Sequence, residues 1–395
     1  MSVPKAEIYS RISRLQKELK VKGSIGTILV QNVDVYYYSG TFQNSHLFIP
    51  AEGEPILFVK KSLKRGQAES PLEQILPLNS LRELPKTIEQ MGHTLEGQLG
   101  LELDVIPYNT GLFYQKLFNN CGIFDISPII RKHRAIKSCY ELQIIKEAAQ
   151  MMDWVFNQIP EYLSPKSTEV QIAAEIERLA RIAGHEGLIR MRGFNSELHY
   201  GQLFSGANAA VPSFFDGPTG GKGLSVTYPM GASKDTIQKN KPIVADYVAV
   251  KDGYMIDMTR VFALGEIDTF FIEAYDAAIS IQDAVAKEAV PGAIGSKLYE
   301  KALQMAKDFG FQDFFMGAAP DQTSFVAHGV GLELDELPVL AKGYDIVLQE
   351  NMVFALEPKF IFPNQGVVGI ENTFVVKPEG SQCITQTSQD IHYIK

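Results

Sequence analysis

Ile8, Ile12, Leu15 and Leu19 recur at helical spacing and predict an opening amphipathic helix that ends near Gly23. Short apolar runs follow at residues 25–30, 33–38, 47–49, 55–59 and 99–101, bounded by turn residues and interleaved with helical stretches, and these read as strands of a small α/β domain. After the basic, proline-containing stretch 127–137 the period becomes helical. Ser138 with Glu141, and Thr168 with Gln171, form capping-box patterns. The first precedes the stripe Leu142, Ile145, Ala149, Met152 and Phe156; the second precedes Ile172, Ile176, Leu179 and Ala183 and is closed by Gly184. From about Leu188 the pattern is mainly β, interrupted by helices near 269–289 and 296–309. The expected architecture is an α/β N-terminal domain over residues 1–130 and a larger α+β domain over 131–395.

Two segments of the second domain carry acids in otherwise apolar strands. PIVADYVAVKDGYMIDMTRVF reads as a hairpin with Asp246 and Asp257 on opposite arms. A Lys251-Asp252 loop sets the two carboxylates directly opposite, a turn centred on Asp252-Gly253 leaves them diagonal on one face, and only a three-residue loop would separate their faces. In MVFALEPKFIFPNQGVVGIENTFVV a turn about Asn364 sets Glu357 opposite Glu371. Like charges so close repel, and burial of unpaired carboxylates costs several kcal/mol each, which a bound cation removes. His328 lies in SFVAHGVGLELDE. A lone histidine in an apolar run is ordinarily structural, but beside two acid pairs it reads as a ligand. Four carboxylates and one imidazole suit two hard or borderline divalent ions about 3.5–4 Å apart, with Mn²⁺ the natural choice and Co²⁺, Zn²⁺ or Fe²⁺ as alternatives.

Composition narrows the setting. Thirty-seven basic and 46 acidic residues give a formal charge of −9, which argues against nucleic acid or an anionic membrane as a partner. Cys121, Cys139 and Cys383 are too few and too scattered for a disulfide framework or a thiolate zinc site, so a reducing cytoplasm is expected. The opening segment has no apolar signal core, and no stretch reaches the roughly 18 uninterrupted apolar residues of a membrane span.

The order and spacing of these motifs resemble the pita-bread metallopeptidases, specifically the Xaa-Pro aminopeptidase and prolidase branch with its creatinase-like N-terminal domain, over nearly the whole chain. The matching residues are Asp246, Asp252-Gly253-Tyr254, Asp257, Thr259-Arg260, His328–Leu332, Glu357-Pro358 and Ile370-Glu371-Asn372, and RAIKSCYELQIIKEAA resembles the family's interdomain opening. The resemblance implies that Asp257 and Glu371 bridge two metals, that Asp246 completes one site and His328 with Glu357 the other, and that Glu357 takes a proton from the attacking water. It also implies a homodimer. Three positions depart from the family: Ser213 and Asp335 stand where it has histidines that bind substrate, and Gly369 stands where prolidases often carry Arg.

Smaller features also have plainer roles. FDGPTGGKGLS fails the Walker spacing, so Lys222 is a candidate contact for an anionic substrate group rather than part of a nucleotide site. His199 is a candidate proton shuttle whose plainer role is a partly buried structural histidine, and Asp335 is a candidate partner for a cationic substrate group. The chain therefore reads as a dinuclear metal-dependent hydrolase of small peptides or amides, aminopeptidase-like, with Ser213, Asp335, His199 and Lys222 as substrate-side candidates. The alternatives are a same-fold enzyme acting on a non-peptide bond and a non-catalytic, metal-stabilised binding protein. Creatinase fits poorly because Ser213 replaces its catalytic histidine, and methionine aminopeptidases usually lack the N-terminal domain.

Overall fold

The computed structural model describes residues 2–394 and separates into two compact units, one ending at Arg134 and the other beginning at Ala135. In the first unit the helix Lys5–Val21 buries Ile8, Ile12, Leu15 and Leu19, the stripe that its periodicity predicts. A six-stranded mixed sheet runs in the order Gln74–Pro77, Ile56–Val59, Ser45–Pro50, Ser24–Leu29, Gly97–Leu101, Cys121–Asp125. The run at 33–38, expected as a strand, lies instead in the helix Asn32–Ser39. Gln31 caps it by accepting from the Asp34 N–H, and Gly40 at φ 77° stops it. Val33, Val35, Tyr37 and Tyr38 are buried on several sides of that short helix, and a short run buried all round has no period to separate helix from strand.

The second unit opens with the helices Cys139–Gln158 and Glu169–Ala183, each started by a capping box in which both reciprocal hydrogen bonds form. Most of their predicted stripes are buried; Leu142 is half-buried and Ala183 is exposed. A four-stranded sheet has the order His392–Ile394, Tyr254–Leu264, Pro242–Lys251, Gly201–Ser205. A five-stranded sheet has the order Leu334–Ala341, Phe325–Val330, Val353–Leu356, Asn372–Val375, Gln382–Cys383. Between them stands a two-stranded ribbon, Lys359–Phe362 with Gly366–Gly369.

The ribbon is fixed by aromatic packing. Phe362 meets Phe270 of the helix Thr269–Glu288 at 4.6 Å between ring centroids, and Phe360 meets Phe311 at 5.3 Å. Because side chains alternate along a strand, anchoring Phe360 and Phe362 against these rings sends Lys359 to the opposite face. That face is where the acids gather.

Candidate metal centre

Opposed pairing of Lys251 with Tyr254 makes Asp252-Gly253 the turn, and both residues take the positive φ (45° and 82°) that a tight hairpin turn demands. Asp246 therefore pairs with Thr259 and Asp257 with Val248, the diagonal arrangement on one face. About Asn364, at φ 62°, the ribbon pairs Lys359 with Gly369, and the same register continues past it to pair Leu356 with Asn372. Glu357 and Glu371 fall between those paired positions, facing each other where the chain passes from the ribbon to the five-stranded sheet. His328 lies in the adjoining strand opposite Ala355.

The structure thus gathers Asp246, Asp257, His328, Glu357 and Glu371 at one cleft, whose wall also includes Phe215, Asp216, Phe325, Leu334, Asp335 and Lys359. His328 Nε2 stands 3.6 Å from Glu357 Oε1, 3.7 Å from Glu371 Oε1 and 3.9 Å from Asp257 Oδ2. Those distances are too long for hydrogen bonds, yet donors that share one ion at about 2.0–2.2 Å sit at such separations from one another. One oxygen is left over: Glu371 Oε1 is buried and has no hydrogen-bond partner, although its sister Oε2 accepts from Thr259 Oγ1 at 2.9 Å. A buried carboxylate oxygen left bare is costly unless something positive meets it. Asp257, His328 and Glu371 form a group able to hold a metal ion, and Glu357 Oε1 stands beside it, 3.6 Å from the imidazole. The one nitrogen and two carboxylates of Asp257, His328 and Glu371 fit a borderline divalent ion.

Lys359 changes the other half of the cluster. Its ammonium lies 2.9 Å from Asp246 Oδ2, 2.7 Å from Glu357 Oε2 and 2.8 Å from Glu371 Oε2, and its side chain is 1% exposed. Lysine in a strand ordinarily marks a solvated edge, but Lys359 stands two positions after Glu357 and therefore tends to the same face. The ammonium thus occupies one oxygen each of Asp246, Glu357 and Glu371.

Charge and burial compete throughout. Burial and the neighbouring carboxylates Glu371 and Asp246 hold the Asp257 carboxyl well above its usual range. Burial raises Glu357 to about 7 despite Lys359. For Glu371 burial also works upward, but Lys359 and His328 outweigh it and bring the group down to about 2. Burial depresses Lys359, yet Asp246, Glu357 and Glu371 together push it well above the ordinary lysine value. An ammonium among three carboxylates has no tendency to release its proton.

The substrate-side candidates divide. Asp335, at φ 64°, sets Oδ1 3.3 Å from His328 Nδ1, so it lies against a ligand candidate on the ring nitrogen turned away from the acids. Ser213 donates its hydroxyl to the Pro229 carbonyl and lines a neighbouring depression rather than this cleft. His199 pairs with Glu177 at 3.2 Å, and Lys222 pairs with Asp235 at 2.6 Å, both away from the cluster. Arg260 of the Thr-Arg pair is fully buried, donating to the Thr259 and Glu371 carbonyls and to Asn372 Oδ1, which fixes the backbone that presents Glu371.

Comparison with known proteins follows the same outline. The model of metallopeptidase family M24 matches residues 143–378, and that of the creatinase/prolidase N-terminal domain matches residues 11–136. The Xaa-Pro dipeptidase of Pyrococcus furiosus is 25% identical over 385 residues, covering 96% of this chain and 99% of its own. Among solved structures, the Xaa-Pro dipeptidase from Bacillus anthracis aligns with a TM-score of 0.83 at 23% identity, over 98% of this chain and 100% of the other. An X-Pro aminopeptidase from Thermotoga maritima aligns at 0.81 with 22% identity, over 97% and 99%. At such identities the structural likenesses establish the fold.

Proposed function

The chain belongs to metallopeptidase family M24, and from that premise we propose that it is a metal-dependent peptidase that removes a residue from the amino end of small peptides. The observation that carries this reading is the bare, buried Glu371 Oε1 turned toward His328 and Asp257 on the wall of an open cleft. Relatives that span almost the whole chain bear the name Xaa-Pro dipeptidase, which supports a peptide substrate.

Asp257, His328, Glu357 and Glu371 would hold the ion, which when bound supplies Lewis acidity and an acidified water. The chain's own groups do the rest. Glu357 is held at Oε2 by Lys359, leaving Oε1 on the His328 side as the acceptor for a water proton. Phe215 and Phe325 give the cleft an apolar wall that limits water around the scissile bond. Asp216 and Asp335 give it negative charge suited to a substrate ammonium. Gly369 offers no side chain to clamp a free carboxylate, so dipeptides gain nothing there. A proton shuttle at His199 and an anion contact at Lys222 draw no support from positions outside the cleft.

The test is turnover of peptides with free and with acetylated amino ends, in Mn²⁺ and in chelator. Cleavage is expected only with metal, with acetylation lowering kcat/KM roughly tenfold to a hundredfold, the weight of one charge-assisted contact. Xaa-Pro dipeptides are expected to be poorer than longer peptides. Chelator-resistant cleavage would refute the reading. The family habit of pairing supports a homodimer, which light scattering tests, and three unpaired cysteines support a reducing cytoplasm. No helix among the described residues is long and apolar enough to cross a membrane.

A further inference from the structure

We infer that Lys359 is a built-in substitute for one metal of the expected pair, so that the site takes a single divalent ion, held by Asp257, His328, Glu357 and Glu371. The inference rests on the reading of the cleft as a metal site and goes beyond it in fixing the number of ions and the residue that fixes it.

Geometry carries it. The ammonium contacts one oxygen each of Asp246, Glu357 and Glu371 at 2.7–2.9 Å, the lengths of charge-assisted hydrogen bonds, so all three donors of the group are used. The cluster is then divided atom by atom. Glu357 and Glu371 each turn Oε2 to the lysine and Oε1 to His328, while Asp246 meets the lysine and Asp257 faces the imidazole. Glu371 Oε1 is bare and Oε2 is doubly bonded, which is the asymmetry expected when one cation is supplied by the chain and the other must be acquired.

Charge agrees. Four carboxylates against one ammonium leave a formal deficit of three with His328 neutral, and one divalent ion reduces it to one. A second divalent ion would have to share three oxygens with an ammonium at contact distance, in a buried setting where like charges are weakly screened. Nor can the lysine easily step aside: it is 1% exposed, and the strand that bears it is pinned by Phe360 and Phe362. The facing position is adapted as well. Gly369 pairs directly with Lys359, and a Cβ there would come 2.5 Å from Lys359 Cγ and 2.7 Å from its Cα, so no larger residue fits opposite the lysine.

The test is metal content after loading metal-free full-length protein with Mn²⁺ and removing the excess, read together with electron paramagnetic resonance. Wild type is expected to retain one ion per chain with the signal of isolated manganese. Lys359→Gly is expected to retain two with the signal of a spin-coupled pair, and Lys359→Ser provides the same readout if the glycine variant does not fold. Two ions in wild type would overturn the inference and leave the peptidase reading standing. One ion in wild type and in both variants would overturn the role of Lys359. Retention of an ion only by the variants would overturn the one-ion site in the native chain. No ion in any of the three would overturn the inference and the metal-dependent reading together. One ion in wild type and two in a variant, with no peptide cleaved, would uphold the inference and refute the peptidase.

Discussion

Asp335 Oδ1 lies 3.3 Å from His328 Nδ1, the ring nitrogen opposite the one that faces Glu357, Glu371 and Asp257. A carboxylate there favours the tautomer with hydrogen on Nδ1 and leaves the Nε2 lone pair for an ion. This is a different task from the one expected of a substrate contact, although the same carboxylate also lines the cleft. Asp335→Ala should weaken Mn²⁺ binding about 10- to 100-fold in calorimetric titration, the usual effect of removing such a partner. An unchanged affinity would show that the histidine is oriented without it. At this scale the acids and His328 were legible because charged residues in apolar runs are conspicuous. Lys359 was not, because lysine in a strand usually belongs to a solvated edge, and only the anchoring of its neighbours Phe360 and Phe362 shows that it points inward. Ser213, a departure from the family and a substrate-side candidate, commits its hydroxyl to the Pro229 carbonyl.

At the scale of elements, local chemistry was the readable part. The capping boxes at Ser138 and Thr168 both form as their spacing predicts, because the bonds join groups three residues apart and need no help from the rest of the chain. Thr168→Ala should lower stability by about 1 kcal/mol in denaturant titration. A change near zero would mean that the neighbouring Glu169, buried and accepting from Ser205, Asn208 and Ser233, holds the helix start by itself. Hairpin register was legible where a turn residue needs positive φ, as at Asp252-Gly253 and Asn364. The run at 33–38 was not, since its helix is stabilised by burial on several sides rather than by an amphipathic stripe.

For the whole molecule, the two units differ in what they respond to. The N-terminal unit contains two buried histidines, His46 bonded to Tyr114 at 2.6 Å and His133 bonded to Tyr38 at 3.1 Å. Burial, with Lys60 nearby for the first and Arg14 for the second, lowers each to about 4. The unfolded chain takes these protons near pH 6.5 and the folded chain does not until about pH 4, so their contribution is complete above pH 6.5 and is lost as pH falls from there toward 4. At pH 5 the loss should be about 2 kcal/mol for each histidine. Hydrogen exchange between pH 7 and 5 should therefore loosen this unit, and equal protection at both values would contradict the assignment. The candidate metal centre, by contrast, is confined to the unit that begins at Ala135.

An ion bound from solution obeys mass action and departs when its free concentration falls, whereas an ammonium carried by the chain is present at every dilution. On the single-ion reading, scarcity of metal would empty only the side of the cluster that faces His328, because Lys359 keeps its three contacts. Asp246 keeps its counter-charge, and Glu357 and Glu371 stay anchored by one oxygen each while the other waits. Reloading would then be a single bimolecular event at a half-formed site, first order in free metal, and each working copy would draw half as much metal from a limited supply as an enzyme that must fill a pair.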